Sequence, residues 1–300
     1  MIFPPFIKEG STIGIIAPAG RINVESIRFA EKLLTERGFK VVLGEHLLNA
    51  FYQFAGNDAH RLWDLQQMLD RQDVEAIFCA RGGYGAIRVV NQIDWAGFLR
   101  HPKWIVGYSD ITVLHSALQN KLDIASVHGP MPKNFSSKLM DDPDMDWLFK
   151  ILSGEMPKYQ IPSHPLNKTG FATGILTGGN LSLLYALRGT KYDVNPKGKI
   201  LFIEDVGEYL YHLDRMIHNL KLGGILEQIS GLVVGQFTEM KDNDTPFGFS
   251  AEEIILEALK EYDFPVLFNF MAGHSPLNLP LVLGKTVTLQ VKPEGAELLF

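Results

Sequence analysis

In the stretch HPKWIVGYSDITVLHSAL, residues 101–118, a lone serine, Ser109, stands where an apolar run meets an apolar pattern of helical period. Gly107 precedes it by two positions and Asp110 follows it. Two chemistries fit this placement. The serine can cap the next helix by accepting hydrogen bonds from its first backbone N–H groups, or it can be a nucleophile held on a strand-to-helix turn. The hydrolase turn G-x-S-x-G would carry glycine where Ile111 stands, so the cap is the simpler local reading. Serine chemistry needs more: a base within hydrogen-bond reach, a group that orients the base, and two N–H donors for an oxyanion.

Nine histidines are available as the base. His60, His101, His212 and His218 fall on predicted helices or polar turns, and His46 and His164 fall in loops. His115 lies nearly two helical turns beyond Ser109, which would aim its ring away from the turn. His128 ends a predicted strand beside Gly129-Pro130 and is a second-tier candidate. His274 is the strongest, because FNFMAGHSPLNLP delivers it from a buried apolar run into a loop beside a glycine. For the orienting acid, KILFIEDVGE ends a buried run with Glu204, Asp205 and Glu208; any of the three could face the site, and Glu204 comes first after the apolar residues.

The loop ARGGYGA, residues 80–86, places Gly82, Gly83 and Gly85 between a strand and a helix, exposing backbone N–H groups suited to an oxyanion. It is not a dinucleotide fingerprint, since the run from Gly83 to Arg88 lacks the third glycine and follows the third predicted strand. Walker spacing is absent, and no H-E-x-x-H or comparable ligand pair occurs. Cys79 is the single cysteine, inside the apolar run VEAIFCA, which excludes an internal disulfide and a cysteine metal cluster and fits a buried small side chain. Neither a cofactor nor a metal is expected.

The elements that must position these residues follow a β-α alternation in the first half. Strands are expected at 12–18, 39–44, 74–80, 103–109 and 124–130, with helices at 23–38, 57–72, 85–93 and 111–120. That order predicts a mostly parallel sheet covered by helices, with loops APAG, ARGGYGA and GYSD at the carboxyl ends of its strands, and EDVGE at the end of a later one. From about 133 to 172 prolines and turn residues dominate, with one short helix near Trp147 to Leu152. The expected division is an N-terminal α/β domain at 1–150, a linker at 151–172 and a second domain at 173–300, closing on a β-hairpin that turns at Pro293-Glu294-Gly295.

The chain has 300 residues, 46% hydrophobic and 21% charged, which is the range of a folded soluble protein. A formal net charge of -6, without any Lys/Arg cluster, offers no footprint for nucleic acid or an anionic membrane. The N-terminus MIFPPFIKEGSTIGIIAPAG has no basic region and its apolar run is broken by Pro4-Pro5, so neither a signal peptide nor a membrane span is expected and the cytoplasm is the default compartment.

With these loops in view, the chain resembles the LD-carboxypeptidase family of serine peptidases, the muramoyltetrapeptide carboxypeptidases, whose relatives include microcin-immunity peptidases. The resemblance rests on GIIAPAG, AGNDAHRLWDLQQML, ARGGYGAIR, VGYSDITVLHSAL, HGPM, LTGGNLSLL, FIEDVGEYLYHLDRMIHNL and AGHSPLNLPLVLG, in family order over nearly the full length. It implies Ser109 as nucleophile, His274 as base and Glu204 as the acid that orients it. It also implies an oxyanion hole from the backbone N–H groups of Asp110 and Gly83. Arg81, Gly82 and Tyr84 are candidate substrate contacts, with Arg81 or the APAG turn facing a terminal carboxylate.

The fold implied is α/β: a flavodoxin-like N-terminal domain with a mostly parallel sheet, and a smaller C-terminal domain with a β-barrel-like sheet and helices. The implied activity is release of terminal D-alanine from murein tetrapeptides during peptidoglycan recycling, in the cytoplasm, by a homodimer without cofactor. No long insertion separates Glu204 from His274 as in the microcin-immunity branch, which favours murein peptides over peptidyl or acyl nucleotide adducts. A reading from another class, a non-enzymatic α/β protein that binds a peptide or nucleotide, would leave Ser109 as a cap only.

Overall fold

In a computed structural model of the protein, which describes residues 1–135 and 143–300, the chain forms two compact units. Residues 136–142, inside the turn-rich stretch, lie outside the described residues. The first unit is Met1–Met156 with Leu279–Val282, and the second is Pro157–Asn278 with Leu283–Phe300.

In the first unit, β1 (Thr12–Ile16), β3 (Ala76–Cys79) and β4 (Trp104–Gly107) are buried at every residue. Continuous apolar runs of this kind suit a sheet covered on both faces. With β2 (Lys40–Leu43), β5 (Ser126–His128) and β11 (Leu281–Leu283) they form one six-stranded sheet in the order β2-β1-β3-β4-β5-β11. The pairs β1/β2, β1/β3, β3/β4 and β4/β5 are all parallel, and the order 2-1-3-4-5 is the flavodoxin-like one.

The covering helices start where capping residues stand. Asn23 accepts from Ser26 N–H at 2.7 Å to open α1 (Val24–Glu36), and Asn57 accepts from His60 N–H at 2.9 Å to open α2 (Asp58–Asp70). At the far end of α2, the buried Lys103 ammonium donates to the carbonyls of Met68, Leu69 and Arg71, which have no partner within the helix. The remaining helices of this unit are α3 (Ala86–Val89), α4 (Ala96–Arg100), α5 (Thr112–Ala117) and α6 (Pro143–Leu152). The turn α4 was not expected, being too short to show a helical period.

The second unit holds a seven-stranded mixed sheet in the order β10-β9-β8-β7-β12-β13-β6. Its strands are β6 (Lys158–Pro162), β7 (Gly170–Asn180), β8 (Ile200–Val206), β9 (Gly231–Thr238), β10 (Val266–Leu267), β12 (Thr286–Lys292) and β13 (Gly295–Leu299). The half from β7 to β10 is parallel, and the half from β7 through β12 and β13 to β6 is antiparallel. The sheet curls: Tyr159 of β6, at one end of the order, lies 5.5 Å ring to ring from Phe270, just past β10 at the other end. Helices α7 (Leu181–Ala186), α8 (Leu210–Leu222) and α9 (Ala251–Ala258) share an apolar cluster that includes Leu201, Ile203, Leu213, Met216, Ile217 and Ile255.

Two segments differ from their sequence-based reading. The stretch 151–172, expected as a linker, contains all of β6, which pairs with β13 at the far end of the chain. The short run Leu281–Leu283 leaves the second half of the sequence to become an outer strand of the first sheet. Both depend on partners more than a hundred residues away, which no local pattern announces.

Candidate active site

Ser109 follows the end of β4 and opens a short 3-10 turn, Ser109–Ile111, that leads into α5. Tyr108 holds the cap position of that turn, with no side-chain capping bond, and Ile111 precedes α5 likewise. The cap reading of Ser109 is therefore corrected. Its backbone has φ of 66°, a left-handed conformation that a residue with a Cβ adopts at a cost of roughly 1–3 kcal/mol. A strained serine between a parallel strand and a helix is the geometry of a nucleophile elbow, reached here without glycine at position 111. Behind the turn Gly107 leaves room for Ile111, whose Cγ1 would be 2.9 Å from a Cβ at Gly107.

The glycine loop closes on the same serine. A Cβ on Gly82 would stand 2.7 Å from Ser109 Cβ, 2.8 Å from its Oγ and 3.4 Å from the Asp110 nitrogen. Only glycine lets the two loops come this close. Gly20, from the APAG turn, donates its N–H to the Gly82 carbonyl at 3.0 Å. Gly83, with φ of 109°, rests on Gly20, whose Cα would be 3.2 Å from a Cβ added at Gly83. The carboxyl-edge loops of β1, β3 and β4 thus meet around Ser109. Gly82 is the glycine packed on the serine side chain; Tyr84 is exposed, with its ring 6.0 Å from that of Phe54.

Asp110 braces this arrangement. Its buried carboxylate accepts from the Ala86 N–H at 2.7 Å, at the start of α3. Burial pushes its pKa up to about 6, against the opposing effects of the Ala86 bond and the Arg61 charge. Arg61 is itself buried; it donates to the Gly56 carbonyl at 3.1 Å and to Asp58 at 2.5 Å, and its guanidinium carbon would be 3.2 Å from a Cβ on Gly85. Asp58 also receives a forked pair of bonds from Arg88, whose hydrogen bond is the main cause of a lowered Asp58 pKa.

In the second unit the structure brings Glu204 and His274 together, with Oε2 of the acid 2.7 Å from Nδ1 of the imidazole. Glu204 is fully buried, and it sits inside β8, where the sequence pattern suggested a position past its end. The register with β9 shifts here: Ile203 pairs with Val234 and Asp205 with Phe237, so β9 carries the extra residue and Glu204 stands opposite its bulge, which bends the strand beside the acid. Space for it comes from two glycines. A Cβ on Gly235 would be 3.1 Å from Glu204 Cβ, and one on Gly273, where φ is 116°, would be 2.7 Å from Glu204 Oε2. The His274 carbonyl accepts from Thr238 Oγ1 at 2.8 Å, and the Gly273 N–H donates to Asn278 Oδ1 at 2.8 Å. An ionised carboxylate on Nδ1 can only accept, so the ring proton is held on that nitrogen and Nε2 is left as the basic one.

Strand alternation puts Glu204 and Asp205 on opposite faces of β8. Asp205 accepts from Asn180 Nδ2 at 2.9 Å and from the Ser182 N–H at 2.9 Å, fixing the start of α7. Ser182 Oγ lies 2.8 Å from both Asp205 and Glu208. Burial, and next the Glu204 charge, push the Asp205 pKa up to about 6. Glu208 turns instead to His212, 2.6 Å from its Nδ1.

Other histidines take structural places. His115 turns back behind the serine turn, with Nε2 2.8 Å from the Gly107 carbonyl and Nδ1 2.9 Å from Ser126 Oγ. Burial lowers its pKa to about 4, which keeps the ring neutral. The expectation that this ring faces away from the turn is corrected: the carbonyl of Gly107 draws it in. His128 is fully buried in β5, its ring 5.9 Å from that of Tyr108, which makes it a core residue of the first unit. Gly235 and Thr238 were not singled out in the sequence; a glycine inside the apolar run GLVVGQF is the local sign that a backbone is closely approached there.

Residues 13–129 match the family model described as LD-carboxypeptidase N-terminal domain, and residues 173–289 match the LD-carboxypeptidase C-terminal domain. The chain belongs to the LD-carboxypeptidase family. It is 34% identical to the probable murein peptide carboxypeptidase of Bacillus subtilis (strain 168), over 98% of this chain and 93% of that one. The crystal structure of muramoyltetrapeptide carboxypeptidase from Oxalobacter formigenes superposes with a TM-score of 0.86 at 28% identity, covering 96% of this chain and 98% of that chain. The microcin C7 self immunity protein MccF shares the fold, with a TM-score of 0.88 at 21% identity over 100% and 99% of the two chains. Membership makes this LD-carboxypeptidase homologue an enzyme of the serine carboxypeptidase class and sets aside the non-enzymatic binding protein. No helix among the described residues is long and apolar enough to cross a membrane.

Proposed function

We propose that the protein hydrolyses the L-to-D peptide bond that releases terminal D-alanine from murein tetrapeptides, as a homodimer in cytoplasmic peptidoglycan recycling. The observation that carries the reading is the 2.7 Å bond between buried Glu204 and His274 Nδ1, since an imidazole so oriented is what a serine nucleophile requires. Ser109, His274 and Glu204 are read as one triad. Ser109 Oγ attacks the scissile carbonyl while His274 Nε2 takes its proton, and Glu204 stabilises the imidazolium. The Asp110 and Gly83 N–H groups are read as the oxyanion donors, each typically worth about 3 kcal/mol in the transition state. His274 then protonates the departing D-alanine amine, and water, deprotonated by the same imidazole, releases the acyl group from Ser109.

The reading is tested by incubating the enzyme with murein tetrapeptides carrying either diaminopimelate or lysine and following D-alanine by mass spectrometry. Release by the unaltered enzyme and none by Ser109→Ala, with the fold of the variant intact, is expected. Retained turnover in Ser109→Ala would remove the nucleophile assignment. Preferential cleavage of a peptidyl or acyl nucleotide adduct would replace the murein substrate.

A further inference from the structure

Arg81 and Lys133 line one cleft of the first unit together with Ile22, Asn23 and Ser26. Every lining residue follows the carboxyl end of a parallel strand: Ile22, Asn23 and Ser26 come after β1, Arg81 after β3 and Lys133 after β5. The Lys133 N–H donates to the Ala80 carbonyl at 2.9 Å, which ties its segment to the base of the glycine loop. The sheet order reverses direction at β1 and β3, and open α/β sheets take their ligands in the crevice outside such a switch point.

Two cations share this cleft without a counterion. Among the described residues neither is ion-paired with a carboxylate. Arg81 donates through Nη1 to the Arg21 carbonyl at 2.9 Å, and its Nε packs on Gly20, where an added Cβ would stand 3.2 Å from it. Lys133 is exposed overall, yet partial burial of its ammonium, and next the charge of Arg81, hold its pKa below the usual lysine range. An anion between the two charges relieves both effects.

We propose that this cleft is the subsite for the terminal carboxylate of the substrate, with Arg81 and Lys133 as the cations that make the enzyme an exopeptidase. The proposal rests on the functional reading above. In a peptide cut before its last residue, the terminal carboxyl carbon is three bonds from the scissile carbonyl carbon, less than about 4 Å away. An anion subsite must then adjoin the nucleophile. Arg81 is bonded directly to Gly82, and Gly82 is the residue packed on Ser109. A guanidinium fork matches a carboxylate in geometry, and the lysine adds a second charge from the opposite segment.

The test compares two tetrapeptides that differ only at the C-terminus, one ending in D-alanine and one in D-alaninamide, with the unaltered enzyme, Lys133→Gln and Arg81→Gln. The unaltered enzyme is expected to prefer the acid by about 100-fold in kcat/KM or more. Each variant is expected to lose about 10- to 100-fold on the acid, the usual worth of a charge-assisted hydrogen bond, and the acid-to-amide ratio is expected to fall by that factor. Among the described residues the Lys133 ammonium makes no hydrogen bond, so Lys133→Gln guards against a folding defect in Arg81→Gln. A parallel loss on both peptides, or an unchanged ratio, would overturn the subsite. Equal turnover of acid and amide by the unaltered enzyme would overturn the subsite alone, while no turnover of either would remove the functional reading and the subsite with it.

Discussion

Gly273 lies flat against Glu204, so close that a Cβ on the glycine would stand 2.7 Å from Oε2 and 2.8 Å from Cβ of the acid. On another side Gly235 leaves a Cβ-sized space that Glu204 Cβ, the Ala272 carbonyl and the Phe202 ring together occupy. The carboxylate is thus aimed by backbone on two sides and faces a bulge in the neighbouring strand β9; among the described residues His274 is the side chain bonded to it.

Gly273→Ala is expected to displace the acid. The substitution adds strain at φ of 116° and an overlap with Glu204; together these cost roughly 2–4 kcal/mol. A fall of several degrees in Tm with a loss of kcat/KM of at least about 100-fold is expected. Full activity in a stable Gly273→Ala protein would show that this packing does not set the Glu204–His274 geometry.

Glu204→Gln separates charge from shape. The amide fills the same space but can turn either its oxygen or its NH2 toward Nδ1, so it no longer enforces the proton on that nitrogen. Loss of kcat by roughly 100- to 10,000-fold is expected, the range seen when a triad acid becomes an amide, with a change of only a few degrees in Tm. A loss below tenfold would argue that Glu204 is structural.

How much of this was legible in the sequence depended on whether the signal was local. Ser109, the glycine loop and His274 announce themselves because each follows an apolar run and meets a turn residue. The choice among Glu204, Asp205 and Glu208 was open, since alternation along KILFIEDV sends Glu204 and Asp205 to opposite faces without saying which face meets His274 and which meets Ser182. The same holds for Asp110, which reaches Ala86 on a neighbouring loop. Strand β6 was hidden in a proline-rich stretch because its partner β13 is at the other end of the chain.

Cys79 is expected to be inert. It is fully buried in β3, and burial raises its thiol pKa far above the usual range, next helped by the charge of Asp110. Treatment of the native enzyme with iodoacetamide should leave both mass and turnover unchanged, with alkylation only after denaturation. Loss of activity that tracks alkylation of Cys79 in the folded protein would contradict a serine mechanism that does not use it.

Asp110 should give the stability a pH dependence of unusual sign. Its folded pKa is raised to about 6 from 3.8, by burial first, so between those values the folded state keeps a proton that the unfolded chain has released. Stability then falls as pH rises through that window. The contribution is fully present below the unfolded pKa and is lost by about pH 6, a change of up to about 3 kcal/mol. Asp205, with a pKa also raised to about 6, titrates in the same range, so the informative quantity is the difference between proteins. Asp110→Asn keeps an acceptor for the Ala86 N–H but cannot ionise, and its Tm relative to the unaltered enzyme is expected to climb between pH 4 and pH 7 and level off above. A difference that stays flat across that range would mean that the buried carboxyl ionises without cost, and that Ala86 and Arg61 fully offset its burial.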